Sequence, residues 1–166
     1  QFAGVAADEV IDPRPLAEIL RQWTTFHPEF AFLPRKFKIA ISGTKDDRAV
    51  TWFHDIGLQL QEQNGETGFR VIVGGGLGRT PIRGQVVREF LPWQHILTYC
   101  EAILRVYNRQ GRRDNAYKAR IKILVQALGV EAFAQLVEDE WAHGKDGPAT
   151  ITQAEFDRVV AHFTAP

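Results

Sequence analysis

The order in which hydrophobic periodicities follow one another predicts an α+β fold, with a small mixed or antiparallel sheet, helices packed on one face and a helical C-terminal half. One pattern of helical period comes first, then patterns of period two, then helical patterns to the end. Asn64-Gly65 between two of the period-two runs signals a hairpin. No repeat interrupts this order. The 166 residues fit one domain over 1–166, strand-rich with one N-terminal helix over about 1–91 and helical over about 92–166.

Asp12-Pro13 ahead of Pro15-Leu16-Ala17-Glu18-Ile19-Leu20 reads as a capped helix start, and Leu16, Ile19, Leu20 and Trp23 place a helix near 14–24. His27-Pro28 ends it, because a residue before proline avoids the α region, and a proline-bounded stretch leads to Leu33-Pro34. From Lys36 to Ser42, Phe37, Ile39 and Ile41 fall on one face and Lys36, Lys38, Ala40 and Ser42 on the other, the pattern of a half-buried strand. A loop over Gly43–Asp47 follows. Ile56, Leu58 and Leu60 then alternate with Gly57, Gln59 and Gln61, and a second β-rich run extends from Phe69 to Val73. This run ends in Gly74-Gly75-Gly76-Leu77-Gly78, after which Pro81 and Gly84 keep the chain irregular as far as Phe90. Beyond Pro92, an apolar stripe of Ile96, Leu97, Cys100, Ile103, Leu104 and Tyr107, closed by Gly111, gives a helix near 93–109. Ala119, Ile121, Leu124, Val125 and Leu128 support a helix closed by Gly129, and Val130–Ala142 supports another. A last helix spans Thr152–Phe163, with Thr152 as N-cap and Glu155 in the capping-box position.

A hydrophobic fraction of 45% with 24% charged residues excludes disordered and collagenous classes. Lys+Arg and Asp+Glu both number 20, so whole-chain charge offers nothing to nucleic acid or an anionic membrane, and any anion site must be local. The single Cys100 excludes an intrachain disulfide, a zinc site built on several thiolates and an iron–sulfur cluster held by this chain alone, and suits a reducing, cytoplasmic setting. No apolar run approaches the roughly 20 residues of a membrane span, and no signal-peptide pattern opens the chain. With no methionine and Gln1 first, the chain is expected to be a piece of a longer polypeptide.

Three segments carry candidate chemistry. In Arg35-Lys36-Phe37-Lys38, lysines two residues apart on a strand project from one face about 7 Å apart, and two such ammonium groups repel unless an anion lies between them. The bland alternative is a solvated sheet edge protected by lysine. Gly74–Gly78 permits positive φ and close backbone approach by a ligand, the alternative being a tight turn. Dinucleotide and P-loop motifs fail here, since Arg79 or Pro81 stands where a glycine is needed and no Gly-Lys-Ser/Thr follows. From Arg105 to Lys122, the cations Arg105, Arg109, Arg112, Arg113, Lys118, Arg120 and Lys122 face the single acid Asp114, which suits a solvated helix face or an RNA-binding patch. Only Tyr107 and Tyr117 are available there for base stacking. Glu140 and His143 imitate half of a carboxylate-bridged metal site without a second half, so no metal ligands are assigned. Cys100 within its apolar stripe reads as an inert core thiol, and Ser42-Gly43 lacks the surroundings of a nucleophile elbow.

Taken in order, Leu33-Pro34-Arg35-Lys36-Phe37-Lys38, Val73-Gly74-Gly75-Gly76-Leu77-Gly78 and Ala119-Arg120-Ile121-Lys122 resemble the haemoprotein of assimilatory sulfite and nitrite reductases. Gly4–Glu9 and Asp12-Pro13-Arg14-Pro15 look like the family's bacterial members, so the likeness covers nearly the whole chain. The resemblance implies a sirohaem bridged through a cysteine thiolate to a 4Fe-4S cluster, and multi-electron reduction of sulfite to sulfide or nitrite to ammonia. It implies that Lys36 and Lys38 bind the oxyanion and supply protons. Arg35 and Arg120 would pair with sirohaem carboxylates, and Gly74, Gly75, Gly76, Leu77 and Gly78 would lie along the macrocycle. The remainder of the parent polypeptide and a ferredoxin or flavoprotein electron donor would be partners, with no nucleic acid and no membrane. The family's two paired-cysteine motifs have no counterpart here, so the chain is expected to be the first half of the cluster-bearing catalytic domain. Alone it is expected to be inactive and to carry no cofactor. The competing reading is a non-catalytic anion-binding or interaction module using the same basic surface.

Overall fold

Four strands and six α-helices follow one another over residues 2–164, which the computed structural model describes; the expected domain ends at Gln1 and Pro166 lie outside the described residues. Helix α1 (Arg14–Thr24) buries Pro15, Leu16, Ile19 and Leu20 along one stripe. Its entry is held by Asp12, whose carboxylate accepts the Arg14 N–H at 2.9 Å. The helix stops where expected, but Pro28 opens a further single turn, α2 (Pro28–Ala31), in which the His27 ring accepts the Glu29 N–H at 3.3 Å.

The sheet has the order β1-β2-β3-β4, with β1 (Ile39–Ser42) parallel to β2 (Ile56–Gln63) and the other pairs antiparallel, and so is mixed. Asn64 and Gly65, both at positive φ (54° and 78°), close the β2–β3 hairpin as its sequence predicts, and β3 covers Glu66–Val73. Two expectations are corrected. The strand begins at Ile39 rather than Lys36, because Lys36–Lys38 run extended but outside the ladder. The stretch expected to be irregular up to Phe90 contains strand β4 (Gln85–Pro92), whose pairing with β3 slips twice. Leu91 faces Phe69, Arg88 faces Val71 and Val86 faces Ile72, and these bulges erase the period-two signature.

One face of the sheet carries Ile56, Leu58, Leu60, Phe69, Val71, Val73 and Leu91, and the helices pack there in one core. The long α3 (Ile96–Gln110), preceded by a 310 turn at Trp93–His95, contributes the predicted stripe with Cys100 inside it. Helices α4 (Ile121–Leu128), α5 (Val130–Trp141) and α6 (Gln153–Val160) complete the layer, and Thr152 caps α6 by accepting the Glu155 N–H at 3.2 Å. The other face of β2 is covered by a 310 turn at Thr51–Phe53, so closely that a Cβ on Gly57 would stand 2.3 Å from the Thr51 carbonyl oxygen. No helix among the described residues is long and apolar enough to cross a membrane.

Candidate functional site

The parallel start of β1 and β2 and the end of β3 lie together, because Ile56 is in register with both Ile39 and Val73. This topology brings Lys38, Asp55 and Gly74, the residues just outside those ladders, to one end of the sheet. Arg120, the N-cap residue of α4, arrives from the helical layer. A cavity of about 650 Å³ opens there, lined by six cations, Arg35, Lys36, Lys38, Arg79, Arg120 and Lys122, together with His54, Tyr117, Leu77 and Gly78. The three segments singled out from the sequence therefore converge, although 65 residues separate Arg120 from Asp55.

Alternation between faces persists through Lys36–Lys38 even without strand pairing. Phe37 packs with Ile39 and Ile41 against the core, its ring 5.7 Å from that of Tyr107, while Lys36 and Lys38 are exposed on the cavity side. Arg35 donates to the Ala116 carbonyl and lies over the Tyr117 ring, 5.8 Å from its centre. Asp55 is fully buried beneath the cations. Its Oδ1 accepts from Arg120 Nε at 3.0 Å and Nη2 at 2.7 Å, and its Oδ2 accepts the Lys38 backbone N–H at 2.9 Å. Burial pushes the Asp55 carboxyl above its ordinary range, against the opposing pull of Arg120. Among the described residues, Arg120 is alone of the six cations in meeting a carboxylate, whereas elsewhere Arg14, Arg48, Arg88 and Arg158 each carry one. A concave surface with so many uncompensated cations concentrates positive potential and favours an anionic ligand.

Two of the five glycine-loop residues reach the cavity, namely Leu77 and Gly78, and Leu77 is largely exposed. Gly74, Gly75 and Gly76 are buried and serve packing. Gly74 takes a φ of +80° and donates its N–H to the Asp55 carbonyl at 3.1 Å. A Cβ on Gly75 would meet the Trp52 carbonyl oxygen at 2.3 Å, and one on Gly76 would meet Arg120 Nη2 at 3.2 Å. Close approach is the reason for glycine here, as expected, but at these three positions the neighbour is the protein itself. Lys122 is buried, its Nζ donating to the Thr80 carbonyl at 2.7 Å, and burial beside Arg120 draws its pKa below the usual lysine range.

Sequence reasoning missed Asp55 and His54, neither of which belongs to a motif, and placed Lys122 in the basic run and in the Ala119–Lys122 motif without giving it a role. That run does not form a patch. Arg105 and Arg109 are bound by Glu140, and Arg112 by Asp114, which leaves no continuous surface for nucleic acid. Glu140 and His143 do not pair, since His143 Nδ1 meets the Asp139 carbonyl at 2.8 Å. Among the described residues no group of three or more His, Cys, Asp or Glu side chains could hold a metal ion. Cys100 is 1% exposed, and burial pushes its thiol up to about 12, so it is an inert core residue.

Known proteins resemble the chain over most of its length. A family model described as the nitrite and sulphite reductase 4Fe-4S domain matches residues 1–145. A sulfite reductase (ferredoxin) of Mycolicibacterium paratuberculosis is 35% identical over 151 residues, 89% of this chain and 27% of that relative. The chloroplastic ferredoxin–nitrite reductase of Arabidopsis thaliana is 31% identical over 149 residues, 87% of this chain and 25% of that relative. The solved structure of the NirA protein of Mycobacterium tuberculosis superposes with a TM-score of 0.75 at 33% identity, covering 89% of this chain and 27% of that one. The chain thus spans about a quarter of the length of these relatives.

Proposed function

This chain belongs to the nitrite and sulphite reductase 4Fe-4S domain family, and from that premise we propose that it supplies the sirohaem contacts and oxyanion-binding lysines of a cytoplasmic sulfite or nitrite reductase. The observation that carries the reading is the cavity of six cations in which the one carboxylate contact is buried underneath. Sirohaem is a carboxylate-rich macrocycle and its substrate a small oxyanion, so both call for clustered cations that are not already neutralised. When bound, sirohaem supplies the multi-electron reduction. The chain's own residues bind and protonate. Arg35 and Arg120 would pair with the carboxylates of sirohaem, and Leu77 and Gly78, the loop residues that reach the cavity, would lie against it. Lys36 and Lys38, exposed on the cavity side, would hold the oxyanion between them and give protons to its departing oxygens. The residues present do not fit the 4Fe-4S cluster, because the one thiol is locked inside α3. Cluster ligands and the site for the ferredoxin or flavoprotein donor therefore belong to the rest of the parent polypeptide. Residues 1–166 are read as one partial domain, inactive in isolation.

The test is a titration of sirohaem into the purified chain, followed by its Soret band. The chain is expected to be purified without cofactor, and added sirohaem is expected to saturate it at one per chain with a shifted band. An unshifted band throughout leaves the non-catalytic anion-binding module as the reading, since the cavity would then take small anions only.

A further inference from the structure

Resting on that reading of the cavity, we propose that Asp55 is its positioning residue, a buried carboxylate that joins all three anion-binding segments and fixes where their cations stand. The joints are three. Asp55 Oδ2 holds the Lys38 backbone N–H at 2.9 Å, Oδ1 holds the Arg120 guanidinium at 2.7 and 3.0 Å, and the Asp55 carbonyl holds the Gly74 N–H at 3.1 Å. Lys38 belongs to the lysine segment, Gly74 to the glycine loop and Arg120 to the start of α4, so one residue ties together three parts of the chain that are far apart in sequence. Its side chain is 0% exposed and that of Arg120 only 14%, so solvent does not compete for these bonds. Arg120 spends one N–H each of Nε and Nη2 on Asp55, which leaves the Nη1 and second Nη2 hydrogens as its free edge for an anion. Fixing the Lys38 backbone also fixes the direction in which its side chain leaves toward the cavity, because Ile56 N–H binds the Lys38 carbonyl at 3.1 Å on the other side.

Positioning and simple charge predict opposite signs, which makes the claim sharp. Asp55 is a negative charge beneath an anion site. If it acted only through its field, removing the charge would tighten anion binding. If it positions, removal loosens binding, because Asp55→Asn turns an acceptor toward Arg120 or Lys38 into an NH2 donor facing a donor.

The experiment compares sirohaem binding, read from the Soret shift, by the wild-type chain and by the Asp55→Asn variant at equal salt. At least a tenfold weaker affinity in Asp55→Asn, with the wild-type chain binding, supports the proposal. Equal or tighter binding by Asp55→Asn overturns it and leaves the functional reading intact. A wild-type chain that binds no sirohaem overturns the functional reading, and the proposal with it. Should Asp55→Asn fail to fold, the side-chain resonances of Arg120 in the wild-type chain without ligand decide the matter. A single slowly exchanging Nε–H with resolved Nη signals shows a clamped guanidinium. Averaged, rapidly exchanging signals show that Asp55 does not hold it, and overturn the proposal.

Discussion

Replacing Gly75 with alanine tests whether the glycine run is there for packing. Gly75 does not need a positive φ, so the substitution is purely steric. The new Cβ would stand 2.3 Å from the Trp52 carbonyl oxygen, 2.8 Å from the His54 carbonyl oxygen and 2.9 Å from Phe53 Cα. All three are backbone atoms, and none can rotate away. Relief requires the 310 turn to lift from the end of β3, which also breaks the Gly75 N–H to His54 carbonyl bond of 3.0 Å. Overpacking costs about 1–3 kcal/mol and a lost backbone hydrogen bond about 1, while a stiffer unfolded chain returns about 0.4–1, for a net destabilisation of roughly 1–3.5 kcal/mol. For a chain of this size that lowers the melting temperature by roughly 2–14 °C. Gly65→Ala is the control, since nothing lies within 4 Å of its Cβ and only its φ of +78° is strained. It should cost about 1 kcal/mol, or roughly 2–4 °C. Thermal unfolding followed by circular dichroism measures both. A Gly75→Ala melting point no lower than that of Gly65→Ala would refute the packing argument.

Two further outcomes follow from buried and paired groups. Cys100, with its thiol near 12, should resist thiol reagents at pH 8, where roughly one thiol in ten thousand is ionised, and should react in step with unfolding as denaturant is added; rapid labelling of the native chain contradicts this. Partial burial raises the Glu140 carboxyl, but its bonds to Arg109 and Arg105 outweigh this and hold it below the usual range. Its contribution to stability is therefore present above the ordinary carboxylate pKa and lost as pH falls through the lowered folded value. Glu140→Gln should melt below wild type at pH 7, and the gap should narrow as pH falls below the ordinary glutamate pKa of about 4.3. A gap that stays unchanged throughout acid titration would show that the ion pairs do not carry it.

Much of this architecture is readable in the residues, and the exceptions have physical reasons. The helices of the second half were legible because each buries one stripe at helical spacing, and the β2–β3 hairpin because Asn64-Gly65 suits a turn with two positive φ values. Strand β4 was not, since its two register slips break the alternation and leave Glu89 exposed between the buried Val87 and Leu91. The basic cavity was legible in part: alternation put Lys36 and Lys38 opposite Phe37, and three separated motifs marked its walls. Asp55 was invisible, because its role consists of bonds to residues 17 and 65 positions away, and an isolated acid before an apolar run carries no pattern. The glycine loop was read as close approach by a ligand, whereas the neighbour of Gly75 is the turn at Thr51–Phe53, which lay outside any local signal.

The most direct test of the central claim is turnover per bound haem in the full-length enzyme carrying Lys36→Met or Lys38→Met, driven by an artificial electron donor. Methionine keeps similar bulk and removes the charge and the donors. Haem content should stay near normal, because the carboxylate contacts are assigned to Arg35 and Arg120. Oxyanion reduction per haem should fall by roughly 10²-fold or more, the scale of lost acid catalysis or electrostatic stabilisation. If both variants keep full turnover per haem, the two lysines form a solvated face and the catalytic assignment is wrong.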